Sequence, residues 1–256
     1  MSDTPLKTWL EHDGCLLRLR LAKPKANLID AAMISALDQA LSGHLSNPDI
    51  RCVILDAEGP HFSFGASVEE HLPEQCAAML GNLHGLILKM LASPVPILAV
   101  VQGQCLGGGL ELACAASQIF AGIDAGFGQP EIKLGVFAPA ASCLLPERIG
   151  QVSAEDLLFS GRSISSAEAL RIGLVQAVNE HPEQAAVSWF NKHLVKLSTG
   201  SLRFAVRAVR MQNQDRIRKK LALVEKLYID ELMSTHDALE GLSAFMEKRA
   251  PGWENQ

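Results

Sequence analysis

Gly103-Gln104-Cys105-Leu106-Gly107-Gly108-Gly109-Leu110-Glu111-Leu112-Ala113 is the run on which the fold of this chain turns. The apolar stretch before it, Ile97 to Val101, has the length and β-branched content of a buried strand, and Gly107 to Ala116 has the pattern of a glycine-led helix. A strand that passes through glycines directly into a helix is the joint of an α/β fold. Upstream, Cys15 to Leu21 sets Leu17, Leu19 and Leu21 against Arg18 and Arg20, the period of a half-buried strand. Asp30 stands just ahead of Ile34, Leu37, Leu41 and Leu45, where its carboxylate can cap a helix. Cys52 to Leu55 then reads as a short strand, Gly59 to Gly65 as a loop and Cys76 to Met90 as a helix.

Beyond about residue 150 helices dominate. Ser153 with Asp156 and Ser165 with Glu168 both fit capping boxes, and Gly173 after Ile172 fits a helix stop. Pro182 to Leu197, Ser201 to Met211 and Asp215 to Lys248 show helical spacing, the last interrupted near Ser234 to Asp237. The expected organisation is a core over residues 1–195 that carries the active site, with residues 196–256 as a helical layer against that core or against a neighbouring subunit. No internal repeat or long linker divides the chain.

The 256 residues carry a net charge of −5, with 48% hydrophobic and 20% charged residues, a balance that excludes a disordered or collagen-like chain. An acidic chain without a basic block is a poor nucleic-acid binder, so any anionic ligand must be met by local cations. The stretch Leu91 to Leu110 is uncharged, but Pro94, Pro96 and four glycines make it a poor membrane helix. Met1 to Leu10 has neither a signal-peptide nor a transit-peptide pattern, and the six cysteines (15, 52, 76, 105, 114, 143) have no metal-site spacing. Free buried thiols in a reducing cytoplasm are expected.

Three constellations carry candidate chemistry. Gly103-Gln104-Cys105-Leu106-Gly107 has the spacing of a nucleophile elbow with cysteine as nucleophile, against the plain reading of a buried structural thiol. Gly107-Gly108-Gly109 opens a helix whose free N–H groups suit a developing oxyanion, with Glu111 three residues after Gly108 on the same face. Close helix–strand packing with Glu111 as an ordinary first-turn acid stands beside that reading with equal weight. The run has neither the spacing of a dinucleotide fingerprint nor the lysine of a P-loop. Third, Phe127-Gly128-Gln129-Pro130-Glu131 sets an acid among Phe127, Ile132, Leu134, Val136 and Phe137, surroundings in which a carboxyl can keep its proton and act as a general acid. The plain alternative is a solvated loop acid. The eight histidines read as surface or capping residues.

Together, Phe62-Ser63-Phe64-Gly65-Ala66-Ser67, Gly107-Gly108-Gly109-Leu110-Glu111-Leu112-Ala113 and Phe127-Gly128-Gln129-Pro130-Glu131 resemble, in order and spacing, the crotonase (enoyl-CoA hydratase/isomerase) superfamily. The likeness extends from Lys23-Pro24-Lys25-Ala26-Asn27 to Phe245-Met246-Glu247-Lys248-Arg249. It implies an α/β fold: a crotonase-like spiral of ββα units with a helical C-terminal trimerisation region, giving a homotrimer or a dimer of trimers. By position, it implies Glu111 and Glu131 as the catalytic acids and the N–H groups of Ala66 and Gly108 as the oxyanion hole. Coenzyme A is implied along Lys25, Ala26, Ala66, Ser67 and Val68, with Lys25 the local cation for its phosphates.

Where many hydratases carry a Pro-Gly-Ala-Gly-Gly-Thr type run after the second acid, this chain has Phe137-Ala138-Pro139-Ala140-Ala141-Ser142. The acyl pocket is therefore expected to be remodelled, with Phe64, Phe137, Pro139 and Ala140 shaping it. With Val68-Glu69-Glu70-His71 this variant is similar to the cyclohexa-1,5-diene-1-carbonyl-CoA hydratases of anaerobic benzoyl-CoA breakdown. That resemblance implies an acyl-CoA thioester substrate, a 6-hydroxycyclohex-1-ene-1-carbonyl-CoA product, and no metal or redox cofactor, coenzyme A being part of the substrate. A helix N-terminus favours Glu111 as the base and leaves Glu131 as the acid. The alternatives are a straight-chain 2-enoyl-CoA hydratase, a Cys105-dependent hydrolase, and a non-catalytic scaffold of the same fold.

Overall fold

The computed structural model describes residues 4–255; the first three residues of the N-terminal stretch read above, and Gln256, lie outside the described residues. The strands are β1 (Leu6–Glu11), β2 (Leu16–Leu21), β3 (Cys52–Ala57), β4 (Ile97–Val101), β5 (Gln104–Leu106), β6 (Gln118–Gly122), β7 (Gly126–Gly128), β8 (Ser163–Ser165) and β9 (Ala177–Asn179). Among the described residues they form a six-stranded sheet in the order β1-β2-β3-β4-β6-β9 and a three-stranded sheet in the order β5-β7-β8. The large sheet is parallel except for the β1–β2 hairpin, whose turn uses positive φ at His12, Asp13 and Gly14.

The helices are α1 (Ala31–His44), α2 (Pro73–Leu91), α3 (Gly108–Cys114), α4 (Pro139–Ile149), α5 (Gln151–Ser160), α6 (Ser166–Arg171), α7 (Pro182–His193), α8 (Thr199–Lys226) and α9 (His236–Glu247). The chain winds as a spiral in which successive turns give one strand to the large sheet, a short segment to the small one, and then a helix. Ser63 follows β3 and bridges to Cys105, β5 and α3 follow β4, and β7 and α4 follow β6. Because helices cover both faces of the large sheet, β4 and Cys52 to Leu55 of β3 are buried and read as continuous apolar runs. Leu16, Cys52, Ile54, Leu98 and Phe120 meet Ala186 and Phe190 of α7 on one face. Leu17, Leu19, Val53, Leu55 and Ala99 join the main core under α1 and α2 on the other.

Asp30 caps α1 by accepting the Met33 N–H at 2.9 Å, and Ser165 caps α6 by accepting that of Glu168. The Ser153–Asp156 box does not form. Gly150, at φ +77°, turns the chain straight from α4 into α5, so α5 begins at Gln151 and Ser153 lies inside it. Nor does the helix break between Met211 and Asp215: α8 runs unbroken for 28 residues, because the polar side chains of that stretch face outward or tie the helix to the core, as Arg210 does to the Leu91 and Ser93 carbonyls. The interruption near Ser234 is present. Residues Leu227–Glu231 widen into a π turn, Leu232–Ser234 tighten into a 3₁₀ turn, and Thr235 caps α9. Tyr228, Ala238 and Leu242 then close a smaller core against Cys76, Met79 and Leu80 of α2. No helix among the described residues is long and apolar enough to cross a membrane.

Candidate active site

The glycines of the 107–109 run are required by what lies opposite them. A Cβ on Gly109 would stand 2.6 Å from the Ser63 Cβ, and one on Gly108 would stand 3.1 Å from the Ala66 nitrogen. The 62–68 loop therefore lies directly on the start of α3. It is pinned by Phe62 N–H to the Gln102 carbonyl, Ser63 N–H to that of Gln104, Phe64 N–H to that of Ala26, and the Gly65 carbonyl to the Ile29 N–H. Ser63 Oγ donates to the Asn27 carbonyl at 2.8 Å and accepts the Gly65 N–H. Gly108 is the first residue of α3, so its N–H has no carbonyl within its own helix. Two backbone amides, of Ala66 and Gly108, thus meet at one spot on the wall of a cavity of about 950 Å³.

Glu111 and Glu131 line the same cavity. Glu111 is only 4% exposed. Its Oε1 accepts the Ala141 N–H at 2.8 Å. Pro139 opens α4, so Ala140 and Ala141 present first-turn N–H groups that have no partner within the helix. Glu111 therefore caps α4: the helix end that favours its ionised form belongs to α4 rather than to α3. Burial pushes the Glu111 carboxyl up, and the Ala141 N–H, the charge of His84 and the Ala140 N–H pull it back.

Glu131 sits in a 3₁₀ turn, Pro130–Leu134, that follows β7. Burial pushes its carboxyl up as well, and the neighbouring Glu111 charge adds to the shift. The Gln129 amide nitrogen, in the orientation that satisfies both ends of the group, donates to the two Glu131 oxygens at 2.9 and 3.0 Å. Two buried carboxyls and two neighbouring backbone amides on the wall of one cavity suit proton transfer next to a carbonyl that gathers negative charge.

Of the other residues singled out in the sequence, Ala66, Ser67, Val68, Phe64, Phe137 and Pro139 line the cavity. Ala140 does not. It is buried on α4, where its N–H serves Glu111. Lys25 and Ala26 are also not on the cavity wall, although the Ala26 carbonyl helps to pin the 62–68 loop, whereas Lys133 and Lys248 are on it. Cys105 is fully buried in β5, and burial holds its thiol well above the ordinary range, which is contrary to a nucleophile.

Two polar groups near the acids carry no sequence signal of their own. His84 on α2 is buried rather than a surface or capping residue, and Tyr228 on the π turn is fully buried with a hydroxyl that has no partner. They stand 144 residues apart in the sequence, and periodicity shows only that each has an apolar neighbourhood.

The sequence model of the enoyl-CoA hydratase/isomerase family matches residues 11–256. A cyclohexa-1,5-dienecarbonyl-CoA hydratase of Thauera aromatica is 64% identical over 255 residues, covering 100% of this chain and 99% of the relative. A probable enoyl-CoA hydratase of Mycobacterium bovis is 32% identical over 246 residues, covering 94% and 95%. Among solved structures, an enoyl-CoA hydratase/isomerase of Pseudoalteromonas atlantica superposes with a TM-score of 0.86 at 26% identity, covering 97% of this chain and 99% of that one.

Proposed function

The chain belongs to the enoyl-CoA hydratase/isomerase family, and on that premise we propose that it adds water to cyclohexa-1,5-diene-1-carbonyl-CoA, giving 6-hydroxycyclohex-1-ene-1-carbonyl-CoA. The observation that carries the proposal is the pairing of two buried carboxyls, Glu111 and Glu131, with the Ala66–Gly108 amides on one cavity wall. The substrate's identity follows from the 64% identical relative.

The thioester oxygen accepts the Ala66 and Gly108 N–H groups. Glu111, ionised at the α4 N-terminus, takes a proton from water while the resulting hydroxide adds to the ring carbon β to the carbonyl. The electron pair of that alkene moves onto the thioester, forming an enolate conjugated with the second alkene. Glu131 then gives its proton to the far terminus of that alkene, and the electrons return to leave one carbon–carbon double bond conjugated with the carbonyl. Donors aimed at the enolate oxygen stabilise the transition state more than the ground state, and one such donor is worth ~10²–10³ in rate. Coenzyme A enters as part of the substrate, with Ser67, Val68 and the cations Lys133 and Lys248 on the cavity wall to meet it.

The protein acts in the cytoplasm as a trimer or a dimer of trimers. Phe204, Val209 and Leu223 on α8 and Val152 and Phe159 on α5 are each more than two-thirds exposed, an apolar surface suited to other subunits. Incubation with a panel of acyl-CoA thioesters, read by mass for gain of water, tests the function. Gain of 18 Da on the cyclic dienoyl thioester is expected, and hydrolysis to free coenzyme A on every thioester would overturn it.

A further inference from the structure

The 3₁₀ turn that carries Glu131 ends at Gly135, whose N–H closes it on the Glu131 and Ile132 carbonyls at φ +73°. The next amide, of Val136, also donates to the Glu131 carbonyl, at 3.3 Å. A five-residue 3₁₀ turn is weakly bonded within itself, so its geometry depends on what packs against it. Here that is α9 and the chain beyond it. A Cβ on Gly135 would stand 2.5 Å from the Asp237 carbonyl oxygen and 3.1 Å from Cζ3 of the Trp253 indole, and one on Gly241 would stand 2.1 Å from the Leu134 carbonyl oxygen. Helix and indole therefore lie directly on the Leu134–Gly135 peptide.

The indole is held there by carboxylates that take backbone amides on either side of it. The Gly252 N–H donates to Oε1 of Glu240 at 2.7 Å, and those of Glu254 and Asn255 donate to Oδ1 and Oδ2 of Asp237 at 2.8 Å each. Chain ends stay loose unless tied down, and these three bonds fix the segment around one aromatic side chain. Asp237 thus meets the turn with its carbonyl and straps the tail with its carboxylate. Trp253 is not on the cavity wall, whereas Pro130, Glu131, Lys133 and Leu134 are.

We propose that Trp253, strapped by Asp237, is a positioning residue for Glu131: its indole covers Gly135 and holds the turn, and the carboxyl on it, in place for proton transfer. The inference rests on the reading of Glu131 as the acid. It gives the C-terminal tail a part in the reaction without contact with the substrate.

The test uses the intact oligomer with Trp253→Ala, Trp253→Phe and Asp237→Asn. A loosened turn misplaces the acid but leaves the cavity wall that binds substrate, so Trp253→Ala should lower kcat about tenfold with KM within about twofold of wild type. Phenylalanine, which restores a flat ring over Gly135, should recover most of the loss, and Asp237→Asn, which gives up one of the two oxygens that accept the tail amides, should fall between. An unchanged kcat in Trp253→Ala, a matching rise in KM, or no recovery with phenylalanine overturns the inference. A second readout needs no substrate. Burial pushes the Glu131 carboxyl up to about 8. Water admitted to the turn should lower that midpoint by about one pH unit in Trp253→Ala and less in Trp253→Phe, followed by the infrared carbonyl stretch of the protonated acid, assigned by its loss in Glu131→Gln. An unmoved midpoint, even with a lower Tm, would mean that the tail only stabilises the fold, and would reject the inference. If the wild type fails to hydrate the dienoyl thioester, the proposed function falls and the midpoint alone decides the role of Trp253. If Trp253→Ala does not fold, Asp237→Asn carries both measurements.

Discussion

A Cβ on Gly107 would stand 2.7 Å from Oε1 of Glu131. Gly107 also sits at φ +50°, and its N–H is spent on the Gly128 carbonyl at 3.0 Å, so the turn that starts α3 and the position of the second acid are set by one residue. Gly107→Ala should cost about 1–2 kcal/mol in backbone strain. The carboxylate is the far end of a flexible side chain, so it should swing away while the fold survives. The expected result is a Tm lower by a few degrees, a kcat lower by well over tenfold, and unchanged binding of free coenzyme A by calorimetry. Wild-type kcat in this variant would show that Glu131 need not stand where it does.

Glu111→Gln and Glu131→Gln keep shape and lose the exchangeable proton, so each should lower hydration by ~10²–10⁴. Their effect on stability has the opposite sign and depends on pH. Both carboxyls are raised above the unfolded value of 4.5, chiefly by burial. Between 4.5 and the raised values the folded state holds more protons than the unfolded state, so stability falls as pH rises, by ~1.4 kcal/mol per pH unit for each proton retained. Either amide should flatten that fall. Thermal melts from pH 5 to 8 check it: wild-type Tm should decline across the range more steeply than that of either variant, and parallel curves would contradict the buried-acid account.

The six cysteines are all free and buried. Native protein should therefore resist iodoacetamide and react only when unfolded, and Cys105→Ser should lose activity only modestly, through packing. Rapid alkylation of Cys105 in the folded state, with loss of activity, would revive a thiol-based hydrolase.

What could be read from sequence follows the range of the forces involved. Asp30 as a cap and Ile97–Val101 as a strand depend on near neighbours, and both stand where the pattern sets them. The three-residue strands β5, β7, β8 and β9 are too short to show a period, and β1 mixes apolar with charged residues because it is a sheet edge. Each of the two acids sits within a distinctive local run that leaves an ordinary acid open, and only the resemblance pairs them; the structure shows both buried on one cavity wall. The cap that Glu111 places on α4 was not legible, since the bond to Ala141 spans 30 residues, and neither was the meeting of His84 with Glu225 across 141.

Leu223, Leu227, Leu232, Leu239, Leu242 and Phe245 stand at roughly helical spacing near the C-terminus, and they divide in the structure. Leu242 is buried within the subunit, whereas Leu223, Leu227, Leu239 and Phe245 are exposed. The exposed set, with Phe204 and Val209, should be covered by other copies of the chain. Light scattering at micromolar concentration should give three or six times 27.6 kDa. Introducing charge through Val209→Glu should shift the mass toward the monomer, and a wild-type monomer would contradict the assembly.

The proposed choice of substrate can be argued from Phe64, Phe137 and Pro139 on the cavity wall. Phe64 stands beside the Ala66 amide with 42% of its surface exposed, and Phe137 packs edge-on against Tyr228 at 5.2 Å, so its ring is held as a fixed wall. Pro139, locked at the start of α4, adds a second rigid surface close to Glu111. A slot between such surfaces suits a flat ring, which loses little conformational freedom on entry, whereas a straight acyl chain must be ordered and leaves space unfilled. Cyclohexa-1,5-diene-1-carbonyl-CoA should therefore be hydrated with a kcat/KM at least ~10²-fold above that of crotonyl-CoA. In deuterated water the new deuterium should appear on the ring carbon two bonds beyond the one bearing the thioester, because the enolate takes its proton at the far end of the conjugated path. Deuterium at the carbon beside the carbonyl would leave hydration standing and reject the 1,4-addition. Crotonyl-CoA as the better substrate would reject the ring-shaped slot, and Phe137→Ala should then leave the ratio of the two unchanged instead of narrowing it.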